Sequence, residues 1–402
     1  MFADCLLVNL TNAIPATFAL LSTALALWQW LVARRFPLHR RVAESPFAPP
    51  VTLLKPLKDC DETTADSLQS WLHQNYAGPT QILFGVADVN DPVCEIARGL
   101  IQKNPGYDVQ LVICSESLGT NGKISTFLQL ERYAKYELML LSDADVRVPP
   151  DFLANIVAPL ARPSVALSPL GGERDGVRGE IGLVNCFYRL ANPATLAMRW
   201  EAVAVNVDFW SQVLQAASLR RLDFALGAAM LVRRKALTQA GGFASLANCL
   251  ADDYQLGHQI AEKGWRIALC PVVVECWDAP MNWREVWRHQ LRWARTIRVC
   301  QPLPYFFSIL SNPTFWPLIW FGVAPNGFSA GFLAASLFVR ALIVQNLLHR
   351  FTQKPAGVGP LFAPLKDLLQ AAVWLGAFLG NTVEWRGQRM KIRSDGTLIA
   401  DR

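Results

Sequence analysis

No Cys-x-x-Cys pair occurs in this chain, and its nine cysteines form an odd set scattered over 402 residues. Those gaps exclude a zinc ribbon, a dithiol redox motif and a complete disulfide framework; reduced, buried thiols are the expectation. Cys270 and Cys276, the nearest pair, have no histidine cluster beside them. An internal repeat and a low-complexity tract are missing as well. The formal net charge is a modest +6 with no basic stripe, so nucleic acid is not an expected partner. A P-loop is absent: in Gly119-Thr120-Asn121-Gly122-Lys123 the glycines stand too close together and no Ser or Thr follows the lysine.

Apolar residues, by contrast, are abundant. A hydrophobic content of 52% and a mean hydropathy of +0.22 exceed what an ordinary soluble enzyme carries, so a soluble core with attached membrane segments is expected. Residues 6–33 are uncharged and exceed the roughly 20 apolar residues that cross a bilayer. Arg34, Arg35, Arg40 and Arg41 follow that stretch instead of preceding it, the reverse of a cleaved signal peptide. The positive-inside bias then sets the N-terminus outside and everything after Arg34 in the cytoplasm.

Further apolar stretches cover residues 303–324, 328–348 and 361–383; the first contains Asn312 and the third Lys366 and Asp367. A basic tail with Arg386, Arg389, Lys391 and Arg393 belongs on the cytoplasmic side, which requires an even number of crossings after Trp293. Two spans and one interfacial or re-entrant segment meet that requirement. The expected division is an anchor at 1–35, a catalytic domain at 48–300, membrane segments at 301–384 and a tail at 385–402. This describes an integral membrane protein with a cytoplasmic catalytic domain, bound to the lipid bilayer.

Within the middle domain short apolar runs alternate with amphipathic ones, the pattern of an α/β fold with a mainly parallel sheet. Residues 51–54, 81–86, 109–113 and 138–141 read as buried strands, and 91–102 and 124–135 as helices. Residues 168–180, with four glycines and mixed charge, read as an exposed, inserted loop. Residues 194–219 fit either a membrane-side surface where a lipid enters or a core helix.

In such sheets ligands bind at the carboxyl ends of strands, where Asp88 and Asp143 fall. Asp143-Ala144-Asp145 follows the run Leu138-Met139-Leu140-Leu141 and sets two carboxylates where both reach one hard cation. Mg or Mn held there would neutralise the diphosphate of a sugar nucleotide. Asp88 suits recognition of the base or ribose, or serves as a turn or helix cap. Lys123 reaches a phosphate, or is a solvated loop lysine. Asp252-Asp253 precedes an amphipathic stretch; Asp253 is the chosen general base for an acceptor hydroxyl, with Asp252 the alternative and otherwise the helix cap. Single displacement by that hydroxyl inverts the anomeric centre. His289, Arg292 and Trp293 lie at helical spacing, with Arg292 suited to diphosphate and Trp293 to the sugar or acceptor pocket, or both to anchoring at an interface.

Taken in order, Val51-Thr52-Leu53-Leu54-Lys55-Pro56-Leu57, Asp88, Asp143, Gly241-Gly242-Phe243, Asp253, Arg292-Trp293 and Trp385-Arg386-Gly387 closely resemble the ceramide glucosyltransferase family. That family is a membrane-anchored GT-A group which includes hopanoid-modifying bacterial relatives, and the resemblance covers most of the chain. It implies a GT-A, Rossmann-like fold with Asp88 and Asp143 as nucleotide and metal sites and Asp253 as base. Two departures stand out: His289 replaces the usual Gln or Arg, and Asp252 the usual Glu. Residues 287–295 look more like the hopanoid branch, which implies a bacterial inner membrane.

The leading expectation is an inverting transferase carrying a hexose from a UDP-sugar to a hydroxyl of a membrane lipid, most like UDP-glucose to ceramide. UDP-N-acetylglucosamine transfer to a hopanoid polyol is the alternative. A processive polysaccharide synthase would need more spans after Trp293, and a sugar-nucleotide-binding scaffold would not need Asp253.

Overall fold

The computed structural model describes residues 2–42, 47–161, 179–355, 359–385, 388–393 and 395–400. Strand β1 (Val51–Leu57) is buried at every position, as an inner strand covered on both faces must be. It pairs in parallel with β2 (Thr80–Val86) and β4 (Leu138–Ser142), and β2 pairs in parallel with β3 (Asp108–Ile113). Beyond β4 the sheet continues through β7 (Ala229–Arg233), β6 (Ile181–Leu190), β8 (Arg266–Cys276) and the short β5 (Val146–Arg147), in the order β3-β2-β1-β4-β7-β6-β8-β5. The strands expected from sequence are all present; β1 runs further because Lys55, with no exposed surface, finds its partners inside.

Before the sheet lies α1 (Phe2–Arg35); around it lie α2 (Thr64–Leu72), α3 (Val93–Lys103), α4 (Gly122–Glu131) and α5 (Phe152–Ala161). An Asp91 turn precedes α3, and an Asn121 side-chain cap sets the start of α4. Asp91 Oδ1 accepts from Val93 N at 3.0 Å, and Asn121 Oδ1 accepts from Ile124 N at 3.1 Å. Next come α6 (Leu196–Val203), a π-helical turn (Ala204–Phe209), α7 (Trp210–Leu219), α8 (Arg234–Gln239), α9 (Asp252–Glu262) and α10 (Trp283–Cys300). For residues 194–219 the core reading holds: Trp200 and Trp210 are buried, and Gln215 Oε1 accepts from Gln29 Nε2 of α1 at 2.9 Å. Of the inserted loop only Gly179 and Glu180 lie within the described residues.

Among the described residues, three helices are long and apolar enough to cross a membrane: Asn12–Arg35 of α1, α13 (Gly327–Thr352) and α14 (Gly359–Phe378). Residues 302–323, uncharged but interrupted by Ser308, Ser311, Asn312 and Thr314, break into α11 (Pro302–Phe307), a 3-10 turn and α12 (Phe315–Val323). Helices α1 and α13 run the same way, joined by Thr23 Oγ1 to Ser336 Oγ at 3.1 Å, Trp30 Nε1 to Asn346 Oδ1 at 3.0 Å and Arg350 Nη2 to Arg34 O at 3.1 Å. Helix α12 reaches the far end of α1, where Trp320 Nε1 donates to Asn12 Oδ1 at 2.7 Å. Helix α14 returns along the segment after α10, pairing Asp367 O with Asn312 at 2.8 Å and Trp374 Nε1 with Tyr305 O at 3.0 Å.

Lys366 and Asp367, which stood against a membrane helix in the sequence, are paired. Arg340 donates to Asp367 Oδ1 at 2.8 Å and to Asp208 Oδ2 of the π-helical turn at 2.9 Å, and Lys366 meets both carboxylates. Mutual pairing is what lets four buried charges persist among apolar helices.

Residues after α14 form a second sheet, β9 (Thr382–Trp385), β10 (Gln388–Ile392) and β11 (Leu398–Ala400). Val383, Met390, Ile392 and Leu398 pack on Leu250, so the basic tail is a folded layer against the loop before Asp252. The cysteine expectation holds for Cys94, Cys114, Cys186, Cys249, Cys270 and Cys276; Cys60 is exposed instead and Cys300 half-buried.

Candidate active site at the carboxyl edge of the sheet

Register places the candidate acids. Leu54 of β1 lies beside Leu141 of β4, and the β1–β4 ladder ends there, one residue before Lys55. Past that point β4 turns away, and Lys55 Nζ fills the gap beneath the turn. It donates to Ser142 Oγ at 3.2 Å and Val146 O at 3.4 Å, and also to Asp143 O. Asp143-Ala144-Asp145 therefore stands on a buried ammonium.

Burial pulls the Lys55 pKa down to about 7 against the upward pull of Asp145 and Asp143. The Asp145 carboxyl is pushed up to about 7, first by burial and then by the negative charges of Asp143 and Asp278. Converging carboxylates of this kind are what a hard divalent cation relieves. Among the described residues no group of three or more His, Cys, Asp or Glu side chains is arranged to hold an ion by itself.

Lys123 sits in the first turn of α4, with its side chain 11% exposed, so it is no solvated loop lysine. Its Nζ lies 2.6 Å from Asp143 Oδ1 and 3.1 Å from Asp252 Oδ2, bridging two loops more than a hundred residues apart. The turn before α4 is also zipped to the segment before Asp252 by backbone and amide contacts. Asn121 N donates to Ala247 O at 2.9 Å, Asn121 Nδ2 to Cys249 O at 2.8 Å, and Thr120 N to Asn248 Oδ1 at 3.0 Å. The carboxylates hold the Lys123 ammonium charged despite the cost of burying it.

Asp252 is not the helix cap. Ala251 occupies the cap position of α9, and Asp252, as the first helical residue, turns its buried carboxylate to Lys123 and to Asn121. Asp253 follows, accepting only from Tyr254 N at 2.8 Å among the described hydrogen bonds of its side chain. Burial and then the charge of Asp252 push its carboxyl up to about 6. A β-carbon on Gly227 would meet Asp253 Oδ2 at 2.7 Å, so that loop supplies close backbone and no side chain. Gly257 of α9 lets the helix approach Phe224 and Ala225, which presses the Gly227 loop onto the carboxylate.

Helix α10 enters through a capping box in which Asn282 accepts from Glu285 N at 3.1 Å and Glu285 Oε2 from Asn282 N at 2.7 Å. One turn on, His289 Nδ1 lies 2.7 Å from Glu201 Oε1, and its ring centroid 4.4 Å from that of Trp293. Arg292 is half-buried. Burial lowers its pKa, while Glu201, Asp253, Asp143 and Asp252 surround it with negative charge.

Asp88 does not join this cluster. It lies at the same sheet edge, two residues past Val86, but is exposed, and its Oδ1 accepts from Asn90 N at 2.9 Å in a local turn. Four residues escaped the sequence reading: Lys55, Glu201, Gly227 and Asp278. Glu201 is fully buried, accepts from Gln290 Nε2 at 2.8 Å, and its Oε2 has no hydrogen-bond partner among the described residues. A lysine in an apolar strand was the available signal for Lys55.

A family model described as glycosyl transferase family 21 matches residues 14–398. Ceramide glucosyltransferase 3 of Caenorhabditis elegans is 22% identical over 239 residues, covering 58% of this chain and 48% of that protein. Ceramide glucosyltransferase of Candida albicans is 34% identical over 122 residues, covering 27% and 22%. The chain thus spans about half the length, or less, of these curated relatives. Among solved structures, a mannosyltransferase from Pyrobaculum calidifontis in complex with GDP-Man and Mn2+ aligns over 92% of this chain and 98% of its own, with 19% identity and a TM-score of 0.53. That similarity gives the fold as GT-A-like; the helices long and apolar enough to cross a membrane flank it on the N-terminal and C-terminal sides.

Proposed function

Because the chain belongs to glycosyl transferase family 21, we propose that it carries a hexose from a UDP-sugar to a hydroxyl group of a membrane lipid, with inversion at the anomeric carbon. The observation that carries this reading is the Lys123 ammonium holding Asp143 and Asp252 together, with Asp253 and Arg292 beside them.

Asp143 and Asp145 are the residues that would hold Mg or Mn. Two carboxylates suit an ion that completes its shell with phosphate oxygens and water. When bound, such an ion supplies charge neutralisation for the departing diphosphate. Arg292 gives a planar, permanently charged donor for the same phosphates, and Lys123 a mobile one that can pass from the carboxylates to phosphate. Asp88, exposed at the same sheet edge, is the residue this reading assigns to the nucleoside. His289, which lies against Glu201 and the Trp293 ring, and Trp293 are assigned by this reading to the sugar-nucleotide side of the site.

Asp253 takes the proton from the acceptor hydroxyl. The oxygen attacks the anomeric carbon as the bond to the diphosphate breaks, and UDP leaves with the bonding electrons. Its raised pKa makes it a stronger base than an ordinary aspartate while leaving it ionised at neutral pH. A lipid acceptor follows from the apolar helices α1, α13 and α14 beside this domain and from the names of the curated relatives.

Purified protein in nanodiscs, given UDP-glucose or UDP-N-acetylglucosamine with either ceramide or a hopanoid polyol, tests the reading. The expected product is a β-linked glycolipid made from an α-linked donor, with UDP-glucose and ceramide the best pair. Absence of sugar transfer to any lipid, in protein that binds UDP, would defeat the proposal.

A further inference from the structure

Glu201 of α6 has no exposed surface, and one of its oxygens, Oε2, has no hydrogen-bond partner among the described residues. Packing does not call for a carboxylate there, because other groups already join α6 to α10. Trp200 stacks on Trp283 and Trp287 of α10, with ring centroids 5.8 Å and 6.3 Å away. Ahead of the two helices, Thr195 Oγ1 donates to Met281 O at 2.6 Å. Asn192 Nδ2 donates to Asp278 O at 2.9 Å, and Asn192 Oδ1 accepts from Asp278 N at 3.1 Å. An apolar side chain of similar volume would keep all of this without burying a charge.

What the carboxylate adds is a hold on the side of α10 that carries His289 and Arg292. Its Oε1 accepts from the buried Gln290 Nε2 at 2.8 Å and lies 2.7 Å from His289 Nδ1, which has no hydrogen-bond partner elsewhere among the described residues. Two bare lone pairs repel at that separation, so Nδ1 turns its proton to Glu201, and Nε2 is the nitrogen left over. Arg292 lies three residues on, at a spacing that shares a helix face with His289. Of the negative charges around its guanidinium, Glu201 is the strongest, ahead of Asp253, Asp143 and Asp252.

We infer that Glu201 is a positioning residue for the sugar nucleotide: one buried carboxylate fixes the His289 ring and the Arg292 guanidinium, so that the diphosphate meets both already oriented. With no exposed surface, Glu201 does not itself touch substrate. Its unpaired oxygen is the cost of a group kept for its partners on α10 and not for packing. The inference rests on the reading of His289 and Arg292 as sugar-nucleotide residues.

The full chain in nanodiscs is titrated calorimetrically with UDP in the presence of Mn, and its Tm is recorded alongside. Glu201→Gln keeps the volume and removes the charge, whereas Glu201→Asp keeps the charge and withdraws it by one methylene. Each is expected to weaken UDP binding by about tenfold, the equivalent of one charge-assisted contact. A carboxylate acting only through its field gives a different result: loss of a negative charge beside a diphosphate strengthens binding, and the Asp variant matches wild type. Combined with His289→Gln, Glu201→Gln should cost less than the two separate losses multiplied. Affinity held or raised in either variant overturns the inference, as do losses that multiply in full. Failure of both variants to fold assigns Glu201 to stability and overturns it too. A wild type that binds UDP but transfers no sugar defeats the transferase reading and leaves Glu201 to be decided by the affinities; a wild type that binds no UDP overturns both.

Discussion

A β-carbon at Gly227 would stand 2.7 Å from Asp253 Oδ2, so the backbone of one loop forms the wall against which the proposed base rests. The two residues are brought together by α9, whose Gly257 packs directly on the chain at Phe224 and Ala225. Because the atom in the way is the end of a side chain, Gly227→Ala should cost little stability and should instead turn the carboxylate away. The expected result is a fall in kcat of at least about tenfold with UDP affinity held, whereas a loss of UDP affinity with kcat unchanged would remove Asp253 from the reaction.

Asp253→Asn tests the same residue directly. Loss of a positioned general base typically costs about 100- to 10,000-fold, so steady-state kcat should fall by that range while UDP binding by calorimetry persists. Normal turnover by the variant would move the role to Asp252.

The acid limb of the pH profile should be displaced. The base works as a carboxylate, and burial together with Asp252 raises its pKa to about 6, so protonation silences it at a higher pH than for an exposed aspartate. In protein free of substrate, kcat/KM should therefore drop tenfold per unit as pH falls below about 6. A limb near the usual carboxylate range would show that Asp253 is not the titrating base.

Metal dependence should follow Asp143 and Asp145. Chelation with EDTA should abolish transfer, and added Mn or Mg restore it. Asp143→Ala should weaken metal-dependent UDP binding by more than the roughly 10- to 100-fold that losing an outer-shell partner costs. Equal UDP affinity with and without metal in wild type would sink this assignment.

Arg340 offers a test of the helix arrangement. Removing its charge leaves Asp208 and Asp367 buried with Lys366 alone, and breaking such a pair costs about 3–5 kcal/mol. Arg340→Met should lower the Tm in detergent by several degrees, while a shared Arg340→Met, Asp367→Leu change should recover part of the loss. An unchanged Tm in the single variant would show that the network is not a structural clasp.

Much of this site was legible in the chain. Asp143 and Asp145 followed from a carboxylate pair after a run of buried strand residues, and Asp253 and Arg292 from spacing and family resemblance. Asp88 was legible as a residue at the sheet edge, yet the pattern could not separate a ligand from a turn, and the turn is what its carboxylate makes. Asp252 was misread as a cap because capping is judged from neighbours, whereas Asn121 and Lys123 claim it from 131 and 129 positions away. Lys55 and Glu201 passed unnoticed for a related reason: a buried charge has meaning only once its partners are known.

By itself the sequence determined the alternation of strands and helices, the apolar helix at the N-terminus and the placing of acids at strand ends, since these depend on residues close together in the chain. Only tertiary structure decided that Lys123 spans Asp143 and Asp252, that Gly227 backs Asp253, and that Arg340 gathers Asp208 and Asp367. Each of those contacts joins segments whose approach is set by sheet register and helix packing. A buried charge is tolerated only by the partner which that packing delivers.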